Sequence, residues 1–208
     1  MMPKKIFLSG FLLFFFSPFF PSNNLRAEIQ GTYKLAEGKT EPKANSYDTV
    51  KVVEVFSITC PHCYEFFKKE DPLLKKFDKK LNLSWIEVGW IGPNLTQFFY
   101  LADKQKKGFL ALDVLFRAFH EAGIADLNNP EQLKIFASDL KMGANFLKEM
   151  QTPDIIKRYT DGVATTSRFG IKSTPAFIVE DSLILSGNDS ANLAKVVNSL
   201  LKKPVVFP

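Results

Sequence analysis

The chain has 208 residues, 46% of them apolar and 24% charged, with 27 lysines and arginines against 22 acids and only two cysteines. That length and apolar share suffice to bury a core, which excludes a disordered chain and a small disulfide-stapled scaffold. The basic excess does not indicate a nucleic-acid binder. Lys4, Lys5 and Arg26 lie in the first 27 residues with no acid, and without that stretch the balance is 24 to 22.

Met1 to Lys5 bring the two lysines, and Ile6 to Phe20 run almost wholly apolar. Pro21 to Asn24 break the run, and Leu25-Arg26-Ala27 ends on a small residue. This three-part layout predicts a secretory signal peptide over 1–27, cleaved after Ala27. An uncleaved anchor needs about 20 apolar residues; this run has 15 and contains Pro18. Export implies an oxidising compartment, where a disulfide persists.

Glu28 to Ser46 is polar, with Gly31, Gly38 and Pro42, and reads as a loose leader with a short strand near Thr32 to Leu35. Asp48 to Phe56 carries Val50, Val52, Val53 and Val55 without a helical stripe, which predicts a buried strand. Glu54 interrupts it, and alternation leaves open whether that carboxylate faces the core or an exposed edge. A helix is expected from Cys60 to Lys80, with Pro61 at its first position and Tyr64, Phe67, Leu74 and Phe77 at helical spacing. Pro72 should kink or break it. Leu83 to Trp90 reads as a second core strand, ended by Gly92-Pro93.

Between Asn94 and Gly170 the pattern turns helical. Leu95, Phe98, Phe99 and Ala102 form one face, and Leu112, Leu115, Phe116 and Phe119 a second. Asn129-Pro130-Glu131 opens a third helix, Phe146 to Met150 suggests a short one, and Thr152-Pro153-Asp154 starts another that stops at Gly170. Ala176 to Val179 and Leu183 to Leu185, joined by Glu180-Asp181-Ser182, predict a hairpin. Asn188-Asp189-Ser190 caps a final helix.

The chemistry is concentrated in Cys60-Pro61-His62-Cys63. A structural zinc site would need two further ligands, and the chain has no third cysteine and only His120 as a second histidine. The pair therefore reads as redox-active, and a bridge across two residues closes too small a loop to serve stability. At a helix start, unpaired N–H groups and the dipole favour a Cys60 thiolate. Cys63, a turn further in, should be buried, stay a thiol and act as the resolving cysteine. His62 can donate a hydrogen bond or partial positive charge to the Cys60 sulfur; the plainer reading is a partly exposed side chain. His120 reads as an ordinary surface histidine, and Phe98, Phe99, Phe116 and Phe119 as packing.

Phe56-Ser57-Ile58-Thr59-Cys60-Pro61-His62-Cys63-Tyr64, followed far downstream by Phe169-Gly170-Ile171-Lys172-Ser173-Thr174-Pro175-Ala176-Phe177, resembles the DsbA branch of the thioredoxin-fold family. The likeness spans essentially the whole exported chain. It implies an α/β architecture: a thioredoxin-like domain of 28–93 and 165–208, with a mixed sheet flanked by helices, and an inserted all-helical domain over 94–164. It also implies a cis Pro175 facing the cysteines, with Thr174 and Pro175 binding substrate by strand addition. Glu54 is placed as a buried acid that moves protons to or from the buried thiol.

Pro61 and His62 form the dipeptide of strongly oxidising members. Thr174 stands where the oxidases carry valine, and threonine there also occurs in isomerases, so an isomerase or dual enzyme remains the alternative. The resemblance implies no cofactor beyond the Cys60–Cys63 disulfide and no metal. Expected partners are unfolded or newly exported cysteine-containing proteins in the periplasm and a DsbB-type membrane quinone reductase. A monomer is expected, because only 32 exported residues precede Cys60, too few for the N-terminal dimerisation domain of isomerases. The intact cysteine pair argues against a non-catalytic chaperone.

Overall fold

The computed structural model describes residues 28–206, so the signal-peptide reading of 1–27 lies outside the described residues. A short strand β1 (Lys34–Leu35) precedes β2 (Val50–Phe56), helix α1 (Pro61–Phe77), a 3-10 turn over Asp78–Lys80 and β3 (Leu81–Glu87). Five helices follow: α2 (Pro93–Lys104), α3 (Gly108–His120), α4 (Pro130–Asp139), α5 (Phe146–Met150) and α6 (Pro153–Arg168). The hairpin β4 (Ala176–Val179) and β5 (Leu183–Ser186) and then α7 (Ser190–Leu200) complete the order.

The strands form one mixed sheet in the order β1-β5-β4-β2-β3. β2 and β3 are parallel, which requires a crossover, and α1 supplies it; the other pairs are antiparallel. The alternation of β2 sorts its valines. Val50 and Val52 pack with Phe66, Phe77, Phe177, Val196 and Val197, on the side of α1 and α7. Val53 and Val55 turn the other way, toward Phe169, Ala176 and Ile178. A third apolar cluster ties Phe56, Ile58 and Cys63 to the helical block through Phe99, Leu112 and Phe116.

Local signals behave as their chemistry predicts at several points. Asn129 accepts from the Glu131 N–H (2.9 Å) and Asp189 from the Asn192 N–H (2.9 Å), capping α4 and α7. Glu180 and Asp181 both adopt φ of 50°, the left-handed pair at the centre of a turn that the Ser182 N–H closes on the Val179 carbonyl (3.1 Å).

Three expectations are corrected. α1 continues through Pro72 to Phe77: burial of Phe66, Phe67, Leu73 and Phe77 outweighs the one backbone bond that proline removes. β3 starts two residues earlier and ends three earlier than its alternation suggested, and it is a half-buried edge strand rather than a core strand. Trp90 therefore lies beyond the strand and is 60% exposed. Thr152 starts α6 without a side-chain cap, its hydroxyl donating backwards to the Glu149 carbonyl (2.7 Å). No helix among the described residues is long and apolar enough to cross a membrane.

Candidate active site

Beyond Phe56 the chain turns through Ser57, Ile58 and Thr59 before α1 begins at Pro61. The Cys60 N–H donates back to the Ser57 carbonyl (3.1 Å), and the Tyr64 N–H closes on the Cys60 carbonyl (3.1 Å). Cys60 therefore sits at the N-terminal edge of the helix, with free N–H groups pointing past it, and Pro61 occupies the position where a missing N–H costs nothing. Cys60 is half-buried and Cys63 fully buried, and both are free thiols.

From the opposite side comes the loop before β4. Its Thr174–Pro175 peptide is cis, and the Thr174 carbonyl oxygen lies 3.3 Å from Cys60 Sγ. Burial alone would push the Cys60 thiol up. The Thr174 hydroxyl, the Cys63 N–H and thiol and the His62 N–H outweigh it and hold Cys60 below the ordinary thiol range. Cys63 goes the other way. Burial drives its thiol far up, and donation from the Ser57 N–H and the Thr174 hydroxyl offsets only part of that. Thr174 thus bears on both sulfurs.

The His62 ring does not take the expected place. Its Nδ1 lies 3.5 Å from Glu65 Oε2 and the side chain is 67% exposed, so the backbone N–H of His62, not its imidazole, reaches Cys60. Glu54 is 3% exposed, opposite Trp85 on β3 and Phe177 on β4, which rules out the solvent-facing reading. Strand alternation puts it on the face of Val52 and Phe56, beneath α1. Among the described residues, no group of three or more histidines, cysteines or acids could hold a metal ion.

The family model described as thioredoxin matches residues 42–199. The chain belongs to the thioredoxin family. Its fold is that of the DsbA-type members, with the helical insertion between β3 and β4. DsbA from Xylella fastidiosa superposes with a TM-score of 0.69 at 20% identity, over 79% of this chain and 92% of that one. Reduced DsbA1 from Neisseria meningitidis gives 0.65 at 22%, over 83% and 94%. A Proteus mirabilis DsbA solved with a non-covalently bound peptide gives 0.64 at 18%, over 85% and 98%. Among curated proteins, no sequence matches. This thioredoxin-family chain carries the paired cysteines of a protein disulfide oxidoreductase at the head of α1.

Sequence reasoning missed Glu87 and misread His120 as a surface residue; both meet the segment that leads into this dithiol. Glu87, at the end of β3 and paired in register with Phe56, is 1% exposed. Its Oε2 accepts from the Thr96 hydroxyl and from the Gly89 N–H (2.7 Å), while Oε1 has no hydrogen-bond partner among the described residues. Burial pushes its carboxyl up to about 7, against the pull of Thr96, Gly89 and, last, the Ile58 N–H. A charge inside the apolar run Trp85-Ile86-Glu87-Val88 was the available signal, the same one that singled out Glu54. The second residue is His120, whose Nε2 lies 2.8 Å from the Ile58 carbonyl oxygen. It falls four residues after Phe116 and eight after Leu112, on the buried stripe of α3 and not on its polar side.

Proposed function

We propose that the chain is an exported thiol:disulfide oxidoreductase that introduces disulfide bonds into substrate proteins through the Cys60–Cys63 pair. The observation that carries this reading is the opposite tuning of the two cysteines: Cys60 half-exposed and lowered, Cys63 sealed in the core and raised. Stabilising the Cys60 thiolate stabilises the reduced enzyme, which makes its disulfide the stronger oxidant.

In the forward step a substrate thiolate attacks Cys60 Sγ of the disulfide. The Cys60–Cys63 bond breaks, a mixed disulfide forms at Cys60, and Cys63 leaves with the electron pair and takes a proton. A second substrate thiolate then attacks the substrate sulfur of that mixed disulfide and releases Cys60 as a thiolate. The substrate loses two electrons and the enzyme gains them. Glu54 serves as the buried acid that exchanges the Cys63 proton. Pro61 and His62 shape the helix start, and Thr174 and Pro175 receive the substrate backbone by strand addition.

On this reading residues 1–27 are removed on export to the periplasm. Residues 28–93 and 165–208 form the thioredoxin-like domain around the inserted helices of 94–164. The enzyme works as a monomer, and a DsbB-type membrane quinone reductase restores the disulfide. Thr174 favours a second reading, a disulfide isomerase or dual enzyme, because it stands before the cis Pro175, where oxidases carry valine and threonine also occurs in isomerases.

The test is equilibration of the purified protein with glutathione buffers. A strongly oxidising equilibrium is expected, and a constant like that of thioredoxin would overturn the oxidase reading. Repair of scrambled disulfides as fast as oxidation of reduced peptide would establish the isomerase.

A further inference from the structure

His120 is the last residue of α3 and reaches the catalytic loop from the helical insertion. A carbonyl oxygen only accepts, so the 2.8 Å contact with Ile58 requires the proton on Nε2, which donates. The ring also lies flat on Tyr64, with centroids 4.8 Å apart and planes 5° from parallel, and meets Phe119 edge-on at 5.0 Å. Tyr64 is itself fixed at both ends. Its N–H holds the Cys60 carbonyl (3.1 Å) and its hydroxyl donates to Glu121, which Arg117 also holds (3.2 Å).

The loop gripped in this way is short. Ile58 is fully buried two residues before Cys60, and its neighbour Ser57 accepts the Cys60 N–H. One imidazole therefore touches both the loop that delivers Cys60 and the first helical turn that follows it. The donors that hold the Cys60 thiolate come from that turn and from Thr174 opposite, so their aim at the sulfur depends on where the loop sits.

We propose that His120 is a positioning residue for the dithiol: its Nε2–H, donated to the Ile58 carbonyl while the ring rests on Tyr64, holds the 57–60 loop where the donors converge on Cys60. The inference rests on the thiol–disulfide exchange reading of the same site.

Two variants separate the hydrogen bond from the ring. His120→Phe keeps an aromatic face on Tyr64 and removes the donor; His120→Gln removes the ring and restores an amide N–H of similar reach. In the full exported chain, Cys60 ionisation is followed by thiolate absorbance against pH, and the redox equilibrium by titration with glutathione. His120→Phe is expected to raise the Cys60 titration and weaken the oxidising equilibrium by about two- to tenfold, the worth of one hydrogen bond. His120→Gln is expected to recover most of that.

Equal values for parent and His120→Phe overturn the proposal. Equal losses in both variants also overturn it, because ring packing would then be the cause. In the unaltered protein, the imidazole 15N spectrum must show a protonated Nε2, and an unprotonated one overturns the proposal however the variants fold. A thioredoxin-like parent would refute the oxidase reading yet leave the ratio of variant to parent intact, so the two failures are distinguishable.

Discussion

Replacing Glu87 by glutamine should change the way stability depends on pH. The buried carboxyl titrates at about 7 against an ordinary 4.5, so between those values the folded protein binds the proton that the unfolded chain has released. A raised carboxyl stabilises the fold only where it is protonated. The parent should therefore lose stability as the pH climbs from about 5, with the loss levelling off above about 7. Relative to acid pH, the raised carboxyl lowers the stability of the fold by about 3 kcal/mol at pH 8 and by about 1 kcal/mol at pH 5.

Glutamine keeps an oxygen for Thr96 and the Gly89 N–H but has no proton to lose. Any fixed cost of placing its NH2 group beside the site of Oε1 cancels when two pH values are compared. Urea unfolding of parent and Glu87→Gln from pH 5 to pH 8 should show the variant gaining about 2 kcal/mol on the parent across that range. Both proteins carry the same cysteines, so thiol titration drops out of the difference. Parallel profiles for the two proteins would refute the reasoning.

Removing the hydroxyl with Thr174→Val should raise the Cys60 titration, by about 1 kcal/mol of lost thiolate stabilisation; a pH titration of thiolate absorbance reads it, and an unmoved or lower midpoint counts against the shared-donor geometry. Glu54→Gln should leave the unfolding midpoint near the parent's and slow reoxidation about tenfold or more, as loss of a buried proton carrier does. Unchanged rates in stopped-flow fluorescence would take Glu54 out of the mechanism. Gly162 lies where a Cβ would come within 2.7 Å of the Tyr100 hydroxyl and 3.2 Å of Ile86 Cγ2. Gly162→Ala should therefore cost about 1–3 kcal/mol through overpacking. The loss should appear as a lower Tm with Cys60 ionisation unaltered.

The features legible in the sequence are those fixed by a few adjacent residues. Pro61 at a helix start, the caps at Asn129 and Asp189 and the Glu180-Asp181 turn are all local chemistry, and the structure contains each of them. What escaped depends on distant partners. The bounds of β3 are set by parallel pairing with β2 across the whole of α1, which Leu83, Trp85 and Val88 cannot announce. The orientation of the His62 ring follows from Glu65, one turn on, and from the backbone N–H that already meets the sulfur. His120 looks superficial beside Arg117 and Glu121, and it becomes part of the site only because α3 docks Phe116 against Phe56, Tyr64 and Phe67. Glu87 shares a sheet face with Phe56 through that same parallel register, so its place against the end of β2 has no local signature.

The opposed tuning of the two sulfurs also fixes how many protons travel with the electrons. Between the low titration of Cys60 and the high one of Cys63, the reduced pair holds a single proton. An ordinary substrate dithiol holds two, so on the proposed oxidase reading each disulfide handed over releases one proton to solvent. The couple's potential then varies by about 30 mV per pH unit where that of the substrate varies by about 59 mV. Transfer to the substrate is therefore about tenfold less favourable for each unit of acidification. The pH of the surroundings sets the balance of the exchange through proton count alone.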